Sequence, residues 1–225
     1  MSGNANPGEG TMGIEIELKF TAADSATLDR VAALDTLAGY RVEARGLIHI
    51  RDTAFDTPAR LLYHGGAVFR LRERGDARAL TFKAHAPSDG EYYRRIEEES
   101  PTTASAEDIA RGNLHDIPPV RRLRERFGEV SLSPCLTTEN ERRVFHLIRD
   151  GVSRYELVLD DVTFTGPRGI ARTCEVEVEA LTDDHSDLED IGRWLGKRFA
   201  LTKAGPSKFL LGMNLVGEMP PQAGE

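Results

Sequence analysis

Glu15, Glu17 and Lys19 lie at alternate positions near the start of the chain, so a strand with a period of two would put all three on one face. The same parity returns further on. Arg70, Arg72 and Arg74 alternate with Phe69 and Leu71, and Thr81 and Lys83 alternate with Leu80 and Phe82. Arg95, Glu97 and Glu99 share a face, and Glu175, Glu177 and Glu179 alternate with Val176 and Val178. Rows of Arg and Lys suit phosphate oxygens, Arg especially through bidentate hydrogen bonds. Rows of carboxylates suit hard divalent cations such as Mg²⁺ or Mn²⁺, which prefer oxygen ligands. A polyanion that carries divalent metal needs both.

For any one of these strands, a polar face turned to water is the ordinary reading. The set argues otherwise. Its polar faces are almost wholly Glu, Asp, Arg and Lys, and the signs are kept apart by strand. Like charges in a row repel, so something of opposite charge is expected between the rows.

Further alternating segments run over 47–55, 142–148 and 155–164, the last two joined by Asp150-Gly151, a hairpin signal. With 14–20, 68–74, 79–85, 94–99 and 173–181, about eight strands are expected. Helical spacing predicts helices over 24–37, over 105–127 with a break near Pro118-Pro119, over 186–199 from a Ser186…Glu189 capping box, and over 207–215. The predicted fold is α+β: an eight-stranded antiparallel β-barrel, a tunnel with a charged interior, with helices covering its apolar outside. Charges inside such a space are costly unless they pair with each other or with a ligand.

The 225 residues, 40% hydrophobic and 29% charged, predict one globular domain over 13–216, between Gly/Pro-rich tails at 1–12 and 217–225. Met12 is a second candidate start. A formal charge of −8 argues against general nucleic-acid binding. No apolar run is long enough to span a membrane, and no secretory signal precedes the first strand. A cytoplasmic protein, monomer or homodimer, with Cys135 and Cys174 as free thiols is expected. No GxxxxGK[ST] loop is present, and the six His show no metal-ligand spacing. Asp56-Thr57-Pro58 and Gly65-Gly66 read as turns, and His146 as a structural residue on the parity of Arg142.

In order along the chain, these residues resemble the CYTH domain family, the triphosphate tunnel metalloenzymes. The resemblance rests on Glu15-x-Glu17-x-Lys19, Phe55-Asp56-Thr57-Pro58, Arg70-Leu71-Arg72, Thr81-Phe82-Lys83 and Arg95-Ile96-Glu97-Glu98-Glu99. It continues with Arg142 (Arg143 is the rival assignment), Leu159-Asp160, Glu175-Val176-Glu177-Val178-Glu179 and Ser207-Lys208. It implies an eight-stranded tunnel that binds a small-molecule triphosphate. Lys19, Arg70, Arg72, Lys83, Arg95, Arg142 and Lys208 would hold the triphosphate, and Glu15, Glu17, Asp160, Glu175, Glu177 and Glu179 two divalent ions, Mg²⁺ or Mn²⁺. Lys19, Glu17 and Lys83 form the implied catalytic set. The helical insert at about 101–135 resembles that of bacterial inorganic triphosphatases in the family. The implied activity is hydrolysis of a triphosphate: inorganic triphosphate first, a nucleoside or thiamine triphosphate next. A class IV adenylyl cyclase and a non-catalytic polyphosphate- or nucleotide-binding module are the alternatives.

Overall fold

The period-two segments form one antiparallel sheet. The computed structural model describes residues 16–85 and 95–218, with His85, Arg95 and Ile96 as backbone alone. In chain order the elements are β1 (Glu17–Ala22), α1 (Ser25–Ala32), β2 (Thr36–Leu37), β3 (Tyr40–Asp56), α2 (Leu61–His64), β4 (Ala67–Arg74), β5 (Ala77–His85) and β6 (Arg95–Pro101). They continue with α3 (Ala106–Ala110), α4 (Pro118–Phe127), β7 (Ser133–Arg149), β8 (Val152–Gly166), β9 (Gly169–Ala180), α5 (Leu188–Phe199), β10 (Thr202–Lys203) and α6 (Lys208–Val216). Two of the ten described strands, β2 and β10, are two-residue pieces, which leaves eight long strands.

The strand order is β10-β1-β9-β8-β7-β3-β4-β5-β6, with β2 beside β3. Among the described residues this ladder is open, which corrects the expected closed barrel. One physical reason lies at β1, whose free edge is taken by β10 through Phe20 with Lys203 and Thr21 with Thr202. The β7–β8 hairpin turns at Asp150 (φ 54°) and Gly151 (φ 75°), the two positive-φ positions that match the twist of paired strands.

The apolar faces lie on the side opposite the charges, and helices cover them. Leu18, Phe20, Leu157, Leu159, Val176 and Val178 pack with Leu28 and Val31 of α1 and Ile191 and Leu195 of α5. Phe69, Leu71, Leu80 and Phe82 pack with Ile109 of α3 and Val120 and Leu123 of α4. Each such side chain contributes about 1.5–3 kcal/mol on full burial.

Two helices differ from their sequence reading. The first ends at Ala32 instead of 37: Leu37 is still fully buried, but through the β2–β3 hairpin that turns at Ala38 and Gly39. The 105–127 region does break at Pro118 as expected: Ser105 and Asp108 form a capping box over a one-turn helix, and Pro118 then starts α4. Before α5, Ser186 bonds Asp184 instead of capping the helix, and Asp187 stands at the N-cap without a side-chain cap bond.

The last helix, α6, packs on the charged side. At one end of that face the parity positions turn apolar, and Ala54, Leu136, Val162 and Phe164 cluster with Met213 and Val216. Two glycines permit the close approach. A Cβ on Gly212 would lie 2.7 Å from both Leu136 Cδ2 and Phe164 Cδ1, and one on Gly166 would lie 2.5 Å from the Val216 carbonyl oxygen. Gly212→Val is therefore expected to destabilise the protein by about 1–3 kcal/mol through overpacking. Thermal unfolding checks this, and a wild-type Tm would contradict it.

Cys135 and Cys174 are free and buried. Burial pushes the Cys135 thiol up to about 12 and the Cys174 thiol up to about 11. The thiolate is the reactive form, so a thiol reagent at neutral pH is expected to label neither in the native protein and both after denaturation.

Candidate active site

The sheet register brings the acidic and basic strands together side by side. Arg142 on β7 pairs with Asp160 on β8, which pairs with Glu175 on β9. One step along the same face, Lys19 on β1 pairs with Glu177 on β9. Asp160, Glu175 and Glu177 are 0%, 1% and 8% exposed, so this is no solvated polar face. One oxygen from each of the three lies within 4.8 Å of the others.

Cations from three elements neutralise this trio. Asp160 Oδ1 accepts from Asn140 Nδ2 at 3.0 Å and Arg142 Nε at 2.8 Å, and its Oδ2 accepts from Arg142 Nη2 at 2.7 Å. Arg142 Nη2 also donates to Glu177 Oε2 at 3.2 Å. Lys19 Nζ lies 2.9 Å from Glu177 Oε1 and 3.8 Å from Glu17 Oε1. Lys208, the first residue of α6, places its ammonium 2.9 Å from Asp160, 2.6 Å from Glu175 and 2.5 Å from Glu177. Burial raises the Glu177 carboxyl, but Lys208 and Lys19 outweigh it and hold the group at about 2. Glu175 stays above its ordinary value because burial outweighs Lys208. Its buried Oε2 is close to the ammonium yet lacks a well-angled hydrogen bond.

The basic strands stand on the same side. Asp52 on β3 faces Arg72 on β4 and receives hydrogen bonds from both Arg70 and Arg72. On β5, Lys83 Nζ lies 2.7 Å from Glu97, and Thr81 Oγ1 donates to Glu99 at 2.9 Å. Burial and the neighbouring Arg70 lower the Lys83 ammonium from its ordinary value. Burial lowers the Arg72 guanidinium, but its bonds to Asp52 outweigh this and raise it above its ordinary value.

Of the residues expected from sequence, the structure gathers Lys19, Arg142, Asp160, Glu175, Glu177 and Lys208 into one cluster. Arg70, Arg72 and Lys83 form the second wall. Glu17 is exposed at the start of β1, opposite Glu179 in register, and neither belongs to the converging trio. Glu15 and the Arg95 side chain lie outside the described residues. Arg143 takes the opposite face and pairs with Asp29 of α1. The Asp56 carboxylate accepts the backbone N–H groups of Thr57, Leu62 and Tyr63, so it shapes the turn into α2. His146 is paired with Ser153.

Asp52 and Asn140 escaped the sequence reading. Asp52 sits between Ile50 and Ala54 on its own face, which hides it; only the β3–β4 register sets it against Arg72. Asn140 shares the parity of Arg142, and was missed because β7 begins at Ser133, well before the expected 142. A separate cleft of about 650 Å³ is lined chiefly by His49, Arg51, Glu139, Glu141, Asp161 and Arg172. Their parity puts them on the far side of the sheet from Asp160.

Comparison with known proteins agrees with this geometry. The family profile described as CYTH domain matches residues 13–206. The chain belongs to the CYTH domain family. Among solved structures, HpAC1 from Hippeastrum, a proposed adenylyl cyclase with a dominant triphosphatase activity, aligns at TM-score 0.65 and 19% identity, over 90% of this chain and 97% of its own. A proposed adenylate cyclase from Bacillus halodurans aligns at TM-score 0.61 and 18% identity, over 88% of this chain and 96% of its own. At such identities the likeness is one of fold. A comparison with curated protein sequences gave no match. No described helix is long and apolar enough to cross a membrane.

Proposed function

We propose that this protein hydrolyses a triphosphate, inorganic triphosphate foremost, with the help of Mg²⁺ or Mn²⁺. The observation that carries the reading is the buried trio Asp160, Glu175 and Glu177, ringed by Lys19, Arg142 and Lys208 on the same side of the sheet as Arg70 and Arg72. The trio fits a hard divalent cation: it offers only carboxylate oxygens, close together, and one of them lacks a good hydrogen bond. Glu17, with Glu15 and Glu179, would complete the ligand set for a second ion. When bound, such cations would neutralise charge on phosphoryl oxygens and make a coordinated water a better nucleophile.

The chain's own residues supply the rest. Arg70, Arg72, Lys83 and Arg142 hold the phosphate oxygens, and Lys208 reaches them from α6; Arg95 belongs to this set by family resemblance alone. Lys19, between Glu17 and Glu177, orients the terminal phosphate or the attacking water. In the reaction, the water oxygen bonds to the terminal phosphorus as the bridging P–O bond breaks. Orthophosphate and pyrophosphate leave, and the water protons pass to solvent or phosphate. Adenylyl cyclase is the second reading, in keeping with the description of the Bacillus halodurans relative. There the ribose 3′-hydroxyl oxygen would attack the α-phosphorus of ATP as the α–β bridging P–O bond breaks, releasing pyrophosphate, with the hydroxyl proton passing to solvent or phosphate.

Chelation with EDTA is expected to abolish turnover of inorganic triphosphate, and added Mg²⁺ or Mn²⁺ to restore it. Undiminished turnover in EDTA would remove the metal from the account. Glu17→Ala is expected to lose metal-dependent turnover while keeping its circular dichroism spectrum; wild-type activity in that variant would sink the assignment of Glu17.

A further inference from the structure

We infer that Asp52 is a positioning residue, which presets the guanidinium planes of Arg70 and Arg72 before a polyphosphate arrives. The inference rests on the triphosphate reading above. Three hydrogen bonds carry it. Arg72 donates from Nε to Asp52 Oδ1 at 2.8 Å and from Nη2 to Oδ2 at 2.7 Å, and Arg70 donates from Nη1 to Oδ2 at 3.1 Å.

The two Arg–Asp contacts are unlike. Arg72 is held by one whole edge of its fork, which fixes both position and plane. A guanidinium has five N–H groups, so the remaining ones of Arg72 point away from Asp52. Arg70 is held by a single nitrogen, and its buried Nε has no hydrogen-bond partner. One carboxylate thus spans two guanidiniums two residues apart on β4, which would otherwise repel and rotate. It cancels about one of their two charges and leaves the pair cationic. All three side chains are 15–18% exposed, too enclosed for water to take over the ordering.

A plain counter-ion and a plain structural tie make different predictions from a positioning group. In Asp52→Asn the local charge becomes more positive, which strengthens ground-state attraction for an anion, while the guanidiniums lose their fixed planes. For inorganic triphosphate, KM is expected to stay level or fall while kcat drops about 10- to 100-fold, the size of a misplacement effect. A kcat within twofold of wild type in the folded variant overturns the proposal, whatever happens to KM or Tm. If the Asn variant does not fold, Asp52→Ser carries the same expectation.

A second readout needs no turnover. In proton–nitrogen spectra of the metal-free protein without phosphate, the Arg72 Nε–H signal is expected to be sharp and slow to exchange, and to be lost in the Asp52 variant. An Arg72 signal equally protected in both proteins overturns the proposal. Failure of the wild type to hydrolyse inorganic triphosphate would instead count against the functional reading, and the spectral comparison would still decide the role of Asp52.

Discussion

Lys208→Gln is expected to tighten Mn²⁺ binding in the absence of phosphate by about tenfold or more, which is about 1.4 kcal/mol, and at the same time to weaken the productive use of inorganic triphosphate. The wild-type ammonium sits within 2.9 Å of all three buried carboxylates and so occupies the ground a divalent cation would need. Two like charges about 4 Å apart repel by about 4 kcal/mol at an effective dielectric of 20, so even a heavily screened remainder covers a tenfold change. The three carboxylates are balanced by Lys19, Arg142 and Lys208. A divalent ion leaves that balance positive, and an arriving polyphosphate gives the displaced ammonium a new partner. Metal and substrate should therefore each raise the affinity for the other. Titration with Mn²⁺ by electron paramagnetic resonance, with and without inorganic triphosphate, measures both effects. Weaker Mn²⁺ binding in the variant would mean that Lys208 organises the carboxylates and does not compete for them.

Glu177→Gln carries the other large effect, a fall in kcat/KM of about 100- to 1,000-fold, the range seen when one preorganised electrostatic contact at a reacting group is lost. Within the trio, Glu177 is the carboxylate shared by the most cations, touching Lys19, Arg142 and Lys208. Its removal strips a carboxylate from the trio proposed to hold the metal and leaves three half-buried cations short of a partner. A pH signature accompanies it. The folded carboxyl is held at about 2 against an ordinary 4.5, so its stabilising contribution is complete above about 4.5 and disappears as pH falls toward 2. The Gln variant should show a flatter loss of stability across that window. Asp29→Ala, which breaks only an exposed pair with Arg143 on the far face, is the matched control and should keep its activity.

Much of this arrangement could be read from residue parity. Arg142, Asp160 and Glu175 fall on one face of three successive strands by alternation alone, and the register makes them neighbours. Leu18, Leu159 and Val176 fall on the other face and find their helices. What parity could not show was pairing between distant strands. Asp52 looked like a stray charge among apolar neighbours until β3 was laid against β4. The open ladder was hidden for the same kind of reason, because Thr202-Lys203 is too short to announce itself as a strand and yet takes the edge of β1. The burial of α6 on the charged side was also illegible, since it depends on Gly212 and Gly166 allowing backbone and ring to approach. Lys208 could be assigned to phosphate by resemblance; only the fold sets its ammonium among the carboxylates.

The most direct test of the central claim is phosphorus magnetic resonance of the products. The purified protein is incubated with Mg²⁺ or Mn²⁺ and, in turn, inorganic triphosphate, ATP and thiamine triphosphate. The expected result is orthophosphate and pyrophosphate from inorganic triphosphate, faster than any product from the other two. Cyclic AMP with pyrophosphate from ATP, or tight triphosphate binding with no product at all, would contradict it.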